Sequence, residues 1–149
     1  MKRLLFTICI FLVLFVLIIA SIPFINNLTA SQVVKEIEHC PLPQFTTFCE
    51  SVSVAGKLAG NGNGMQFFGA ILIKSELSLN ELEEYYSQYR KGEWSFVVFP
   101  QSGNEILAVE NQKVCFSSLE NETDYTNYFV VYSWGSSDFP LCDFDLRGH

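Results

Sequence analysis

The sequence predicts an α+β protein: an N-terminal single transmembrane helix followed by one antiparallel-sheet domain with about two helices packed on it. Two observations support this fold class. The 149-residue chain begins with an almost unbroken apolar run at residues 4–22. The remainder shows helical and strand patterns in the order helix, strand, strand, helix and then three or four strands, and strands joined by hairpins with helices against one face are typical of this class.

Residues 4–22 have the length and composition of a membrane span. Only Thr7 and Ser21 in this run are not apolar, and a helix of this length reaches about 28 Å, close to the ~30 Å hydrocarbon core of a bilayer. A cleaved signal peptide, which would release a secreted domain, is the alternative. Signal peptides usually have an apolar core of about 7–15 residues and small residues before the cleavage site, whereas Ile18 and Leu28 occupy those positions here.

The basic residues predict the orientation of this signal-anchor. Lys2 and Arg3 precede the span, and no basic residue follows until Lys35. By the positive-inside tendency, the N-terminus stays in the cytoplasm and the C-terminal domain is extracytoplasmic. The predicted organisation is a cytoplasmic N-terminus at residues 1–3, a transmembrane signal-anchor at 4–22, a tether at 23–30 and an extracytoplasmic α+β domain at 31–149.

The glycine-rich stretch GNGNG, residues 60–64, could be a phosphate-binding loop or a turn. It fits neither a Walker-type loop, since Gly56-Lys57 is followed by Leu58, nor a dinucleotide fingerprint, since no third glycine has the required spacing. Two strand patterns flank it, SVSVAGKL before and MQFFGAILIK after, and the second is apolar at nearly every position. The stretch therefore predicts a hairpin between two strands.

Either Asn61-Gly62 or Asn63-Gly64 suits the centre of a type I′ turn, where φ is positive at both positions. The two choices differ by an even register shift, so they give the same faces. Both predict one shared core face, made of Val52, Val54, Leu58, Phe67, Ile71 and Ile73.

The other elements have local signals. A first helix should start at Thr29 or Ser31 and end before Pro41. Ser78 and Glu81 form a capping box for a second helix. The second helix should end near Gly92, with Arg90 and Lys91 in its last turn. Further strands are predicted in the stretches EWSFVVFP, EILAVENQKVCF and YTNYFVVYSW, the last of them central.

Charge limits the possible partners. Without Lys2 and Arg3, the chain has seven basic residues against 16 acidic ones, a net charge of −9. Nucleic-acid binding needs a basic footprint, and adhesion to an anionic membrane surface needs one too. We therefore expect no nucleic acid, membrane contact through residues 4–22, and a possible protein partner outside the cytoplasm.

Four cysteines lie outside the span, and an even number in an exported domain predicts two disulfides. Three connectivities are possible. Proline residues between the first two cysteines favour a short closed loop there, and the last two lie near the ends of predicted strands. The preferred pairing is Cys40 with Cys49 and Cys115 with Cys142.

Catalytic groups are sparse. His39 and His149 are the two histidines of the chain, one beside a cysteine and one at the C-terminus, so we predict no catalytic residue, no cofactor and no metal. If the tail LCDFDLRGH is extended, Asp143, Asp145, Arg147 and His149 share one face. That face could bind an ion, but an edge strand with its charges in water is the preferred interpretation.

These observations favour a membrane-anchored, extracytoplasmic, non-catalytic binding or interaction module. An exported hydrolase that uses acidic residues is one alternative, and two facing carboxylates in an open cleft would favour it. An assembly subunit of a membrane complex is the other.

Overall fold

The structure is a computed structural model that describes residues 2–89 and 94–149. Its helices are α1 (Lys2–Glu38) and α2 (Leu79–Ser87), and its strands are β1 (Thr46–Gly56), β2 (Gln66–Ser75), β3 (Val97–Pro100) and β4 (Tyr128–Gly135). Within these described residues, the four strands form an antiparallel sheet in the order β1-β2-β4-β3. The predicted α+β class is confirmed, and β4 is central as expected.

Helix α1 continues through Pro23, which differs from the expected polar tether at residues 23–30 and the expected helix start near Thr29. A proline costs one backbone hydrogen bond inside a helix. Packing offsets this cost, because a stripe of α1 is buried against the sheet and the C-terminal tail: Ile22, Asn26, Ala30, Val33, Val34 and Ile37. Among the described residues, α1 is the helix long and apolar enough to cross a membrane.

The sheet separates two groups of core residues. On one side, which we call the helix face, α1 and α2 cover Phe67, Ile71, Ile73, Val98 and Val131. On the other side, the loop face, the segment 104–119 covers Phe68, Ala70, Leu72 and Val130. Strand β2 is therefore buried on both faces, as its continuous apolar sequence predicts.

Two glycines let α1 lie directly on the helix face. A Cβ on Gly69 of β2 would come within 2.6 Å of the Val34 backbone nitrogen, and one on Gly135 of β4 would come within 2.5 Å of a Val33 methyl carbon. Because these positions lack a side chain, the helix backbone reaches the sheet. Helix α1 and the sheet are thus joined by packing as well as by chain continuity.

The hairpin between β1 and β2 forms, but the predicted two-residue turn is wrong. The connection is nine residues long, since Gly56 pairs with Gln66. It is held open by the Gln66 side-chain oxygen, which accepts hydrogen bonds from the Leu58 and Ala59 amides at 2.7 and 2.8 Å. The pairing differs by an odd number of residues from either predicted register, and an odd shift exchanges the two faces.

The predicted core face is wrong for the same reason. Val52 lies opposite Ala70 and Val54 opposite Phe68, so both valines belong to the loop face. Phe67, Ile71 and Ile73 instead belong to the helix face.

The start of α2 confirms the predicted capping box. The Ser78 hydroxyl accepts from the Glu81 amide, and the Glu81 carboxylate accepts from the Ser78 amide at 2.8 Å. The helix end predicted from Arg90, Lys91 and Gly92 lies outside the described residues.

The stretch EILAVENQKVCF does not form the predicted strands. Its two halves meet in an isolated bridge between Glu105 and Cys115. The flanking residues Ile106, Val114 and Phe116 turn onto the loop face instead of extending the sheet. The need to cover that apolar face outweighs the strand propensity of the segment.

Candidate binding surface

The structure separates the cysteines of the preferred first pair. Cys40 lies two residues after the end of α1 and packs against the helix-face core, whereas Cys49 packs against the loop-face core at a bulge of β1. The two residues therefore lie on opposite sides of the sheet. A disulfide needs Cα atoms within about 7 Å, so this placement does not favour the Cys40–Cys49 bond.

The second pair is separated in the same way. Cys115 lies in the segment that covers the loop face, and Cys142 packs beside Phe67 on the helix face. Cys49, Cys115 and Cys142 are thiols in the structure, so neither preferred bond is formed. Burial raises the pKa of both the Cys49 and the Cys142 thiol, which disfavours the reactive thiolate at each position.

The C-terminal tail is not extended, so its charged side chains do not share one face. It forms two short 3₁₀ turns, Cys142–Phe144 and Leu146–Gly148. Asp145 is buried, whereas Asp143 and His149 are exposed. Across the described residues, no group of three or more His, Cys, Asp or Glu side chains could hold a metal ion. The interpretation of the tail as an edge strand is also wrong.

Asp145 and Arg147 instead connect the tail to α1. The Arg147 guanidinium donates to Asp145 at 2.6 Å, to the Asn27 side-chain oxygen at 2.9 Å and to the Pro23 carbonyl at 3.1 Å. The buried Asn26 amide group donates to Asp145 at 3.0 Å. Hydrogen bonds from Arg147 lower the pKa of Asp145 to about 2. We call this set of contacts the tail latch.

An apolar cleft lies at the β3 end of the loop face. Its volume is ≈ 170 Å³. Phe99 of β3 and Leu107 of the covering segment lie at its rim and are 56% and 79% exposed. Val130 and Tyr132 of β4 also line it, and burial raises the pKa of the Tyr132 hydroxyl. An exposed apolar pair beside a cavity is a feature of interaction sites.

Gln101 lines the cleft and fixes the chain next to it. It is buried, and its amide nitrogen donates to the carbonyls of Gly103 and Glu105, both at 2.8 Å. Its backbone N–H donates to the Tyr128 carbonyl at 2.8 Å, which extends the pairing beyond Pro100. These bonds fix the path of the chain from β3 into the segment that carries Leu107.

The cleft adjoins β3, one of the two edge strands of the sheet. The other edge strand, β1, contacts further segments of the chain near its middle and just after its C-terminal end. The Glu50 carboxylate accepts from the Ser117 and Ser118 amides at 3.1 and 2.8 Å, and the Lys57 amide donates to the Arg147 carbonyl at 2.7 Å. Partial burial by itself would raise the pKa of the Glu50 carboxyl. The hydrogen bonds from Ser118 and Ser117 outweigh this and hold the pKa below its usual value. Within the described part of the chain, β3 pairs with β4 and with no second strand.

A second, wider cavity of ≈ 490 Å³ lies at the other end of the sheet. Trp94 and Trp134 line it, together with polar groups of Gln66, Ser137 and Asp143. The Trp134 ring packs edge-on against Phe68, with ring centroids 5.0 Å apart, so this indole is held by the core.

Among the residues that the structure describes, neither cavity has the pair of carboxylates that would favour a hydrolase. Among the lining residues that the structure describes, Glu105 is the carboxylate of the cleft and Asp143 that of the wider cavity. A pair of carboxylates about 5–10 Å apart is the usual requirement of acid-based glycoside hydrolysis.

The sequence alone does not reveal the cleft. The stretch VVFP reads as a strand in which every residue is apolar, and this pattern does not separate the buried Val98 from the exposed Phe99. Leu107 reads as part of a strand that does not form. A possible signal was Pro100, because proline is tolerated on edge strands and not in the middle of a sheet.

No protein-family model matches the chain, and the comparisons find no similar curated protein and no similar solved structure.

Proposed function

We propose that this protein is a single-pass, membrane-anchored binding module whose domain lies outside the cytoplasm and takes an extended, apolar segment of a partner protein at the β3 edge. The anchor is supported by α1, whose residues 4–20 are all exposed and, apart from Thr7, apolar. Lys2 and Arg3 at its start support a cytoplasmic N-terminus.

Retention of the anchor, as opposed to cleavage of a signal peptide, is supported by the core. Cleavage before Ser31 would remove Asn26 and Ala30, both buried against the rest of the domain. Cleavage before Ser21 would leave the buried Ile22 next to a new chain end. Intact-mass measurement of membrane-extracted protein should therefore show residues 1–149, with or without the usual processing at Met1. A main species that begins at Ser21 or Ser31 would contradict retention.

The exposed pair Phe99 and Leu107 on the cleft rim carries the binding proposal. Strand addition to a sheet edge supplies backbone hydrogen bonds, and a neighbouring pocket selects the side chains of the added strand. The edge of β3 provides the backbone groups for these hydrogen bonds, and the cleft provides the pocket. Only one acidic side chain lines the cleft in the described residues, Glu105, so an apolar or basic partner segment fits best.

The position of the cleft in the molecule also suits a partner outside the membrane. The proposed span ends at Ile22 of α1. Near the C-terminal end of the same helix, Ile37 packs in one core cluster with Ile71 and Ile73. Ile73 pairs with Phe129 at the start of β4, so the start of β4 is the end of the sheet far from the span. Strand β3 pairs with this half of β4, and the cleft is therefore open to a partner that approaches from outside.

Site-specific photocrosslinking in native membranes tests the binding proposal. We would place p-benzoylphenylalanine at position 107 on the cleft rim and, as a matched control, at position 48, since Phe48 is an exposed aromatic residue on the opposite edge strand. Crosslinked peptides from position 107 should map to an extended apolar segment of another protein. Phe99→Ser should reduce this crosslink, and Phe48→Ser should not.

Hydrogen exchange separates strand addition from simple pocket binding. A synthetic peptide with the crosslinked sequence should slow the exchange of the Val98 amide. The Gln101 amide bonds to the Tyr128 carbonyl, so the alternation along the ladder turns the amides of positions 97 and 99 towards β4 and the Val98 amide towards the free edge. Equal crosslinking at positions 107 and 48, or no crosslinking at position 107, would contradict the proposal.

A further inference from the structure

We propose that the C-terminal tail is a second membrane contact, in which Phe144 and Leu146 enter the headgroup region of the bilayer that holds α1. The inference rests on the proposed anchoring of residues 4–22. It concerns the phospholipid bilayer itself and no protein partner.

The tail latch places this segment at the level of the membrane surface. Ile22, the last residue of the apolar run, is 1% exposed, so the folded domain reaches down to the end of the span. Arg147 contacts Pro23 and Asn27, one and five residues further along α1. At about 1.5 Å per residue, Asn27 lies about 7–8 Å beyond Ile22, a distance comparable with the thickness of the headgroup layer.

The local fold of the tail turns its apolar side chains outward. An extended tail would put Phe144 and Leu146 on one face and Asp145 on the other. The two 3₁₀ turns reverse the expected burial: Asp145 is buried, whereas Phe144 is 66% and Leu146 is 87% exposed. Both apolar residues are direct chain neighbours of Asp145, which binds Asn26 of α1 at 3.0 Å. They are therefore exposed at the place where α1 enters the bilayer.

The chemistry of this segment matches the boundary between headgroups and acyl chains. Apolar side chains at this depth leave water, which is favourable. The partly exposed Arg147 lies at headgroup level, where its charge is paired with Asp145. Phe24 of α1 is also exposed at this level and adds apolar surface. The exposed Asp143 disfavours anionic lipid, so the contact should form on zwitterionic lipid.

Photocrosslinking to lipid tests the inference with the full chain in phosphatidylcholine nanodiscs. p-Benzoylphenylalanine would replace Phe144, Phe11 in the exposed surface of the anchor, or Leu107 at the distal cleft, one position at a time. Leu146 would be replaced in a fourth variant, so that the conclusion does not depend on the folding of one variant. Intact-mass measurement after irradiation detects an adduct with the mass of one phospholipid, and tryptophan fluorescence confirms that each variant is folded.

We expect lipid adducts at positions 11, 144 and 146, and only background at position 107. Lipid adducts at position 11 with background at both tail positions would overturn the tail contact and leave the anchor intact. Background at positions 11, 144 and 146 would overturn the anchor and, with it, this inference. Crosslinks from position 144 to a second protein chain instead of lipid would also overturn it, in favour of an interface between chains.

Discussion

Replacing Asp145 with asparagine tests the tail latch directly. Asp145→Asn keeps the size of the side chain and removes the charge that pairs with Arg147 at 2.6 Å. The Asn26 amide, which donates to the Asp145 carboxylate at 3.0 Å, would face a weaker acceptor or another amide group. Asp138→Asn is the matched control, because Asp138 is an exposed aspartate of the same region.

The pKa of Asp145 limits the loss of stability that Asp145→Asn can cause. A fall from 3.8 to about 2 corresponds to at most roughly 2.5 kcal/mol, since one pKa unit is worth about 1.4 kcal/mol. Arg147 is partly exposed, and water screens such a pair, so we expect a loss of roughly 1–2 kcal/mol in the free energy of unfolding at neutral pH. For a domain of this size, that loss should lower the melting temperature by about 4–8 °C.

The effect should depend on pH in a defined direction. The folded-state pKa of Asp145 is below its unfolded value, so its stabilisation is fully present above about pH 4 and is lost as the pH falls towards 2. The difference in melting temperature between the native protein and Asp145→Asn should therefore shrink as the pH is lowered from 5 to 2.5.

Thermal unfolding of the full chain in detergent, followed by tryptophan fluorescence, measures this difference. Two results would refute the reasoning. One is an equal melting temperature for Asp145→Asn and the native protein at pH 7. The other is a difference that persists unchanged at pH 2.5. Asp138→Asn should melt like the native protein at both pH values.

Three further predictions concern the packing of α1, the cap of α2 and the cysteines. Gly69→Ala should destabilise the domain by about 1–3 kcal/mol in urea unfolding, because the added Cβ would lie 2.6 Å from the Val34 backbone nitrogen. Gly62→Ala is the control. A Cβ at position 62 would have no atom within 4 Å, so this change should alter stability by less than about 0.5 kcal/mol. Ser78→Ala should cost about 1 kcal/mol in the same assay through loss of the cap, and an unchanged midpoint would contradict the capping role. Non-reducing peptide mapping of the protein from its native source should find neither of the disulfides preferred from sequence, Cys40–Cys49 and Cys115–Cys142. Detection of either bond would contradict the placement of these cysteines on opposite sides of the sheet.

Local signals in the sequence predicted the elements that depend on few neighbours. The apolar run at residues 4–22 has the composition of a span wherever it lies in the chain. The capping box of Ser78 and Glu81 forms within one helical turn, and it is present in the structure. The apolar pattern of β2 predicted burial on both faces correctly, because almost every position in it is apolar.

The tertiary structure decided the features that depend on contacts between distant segments. The register of β1 on β2 depends on Gln66 holding a nine-residue connection open, whereas the Asn-Gly pairs alone favoured a two-residue turn. The conformation of the C-terminal tail also depends on contacts with a distant segment. Its alternating sequence suits a strand, but Asp145 gains partners from Asn26 and Arg147 only when it turns inward.

The cleft is the clearest case of a site that the sequence alone does not reveal. Phe99 and Leu107 are eight positions apart, and the turn held by Gln101 brings them to one rim. The apolar run and the order of helical and strand patterns predicted the fold class. The path of segment 104–119 across the loop face determined which apolar side chains stay exposed, because exposure depends on which surfaces the rest of the chain leaves uncovered.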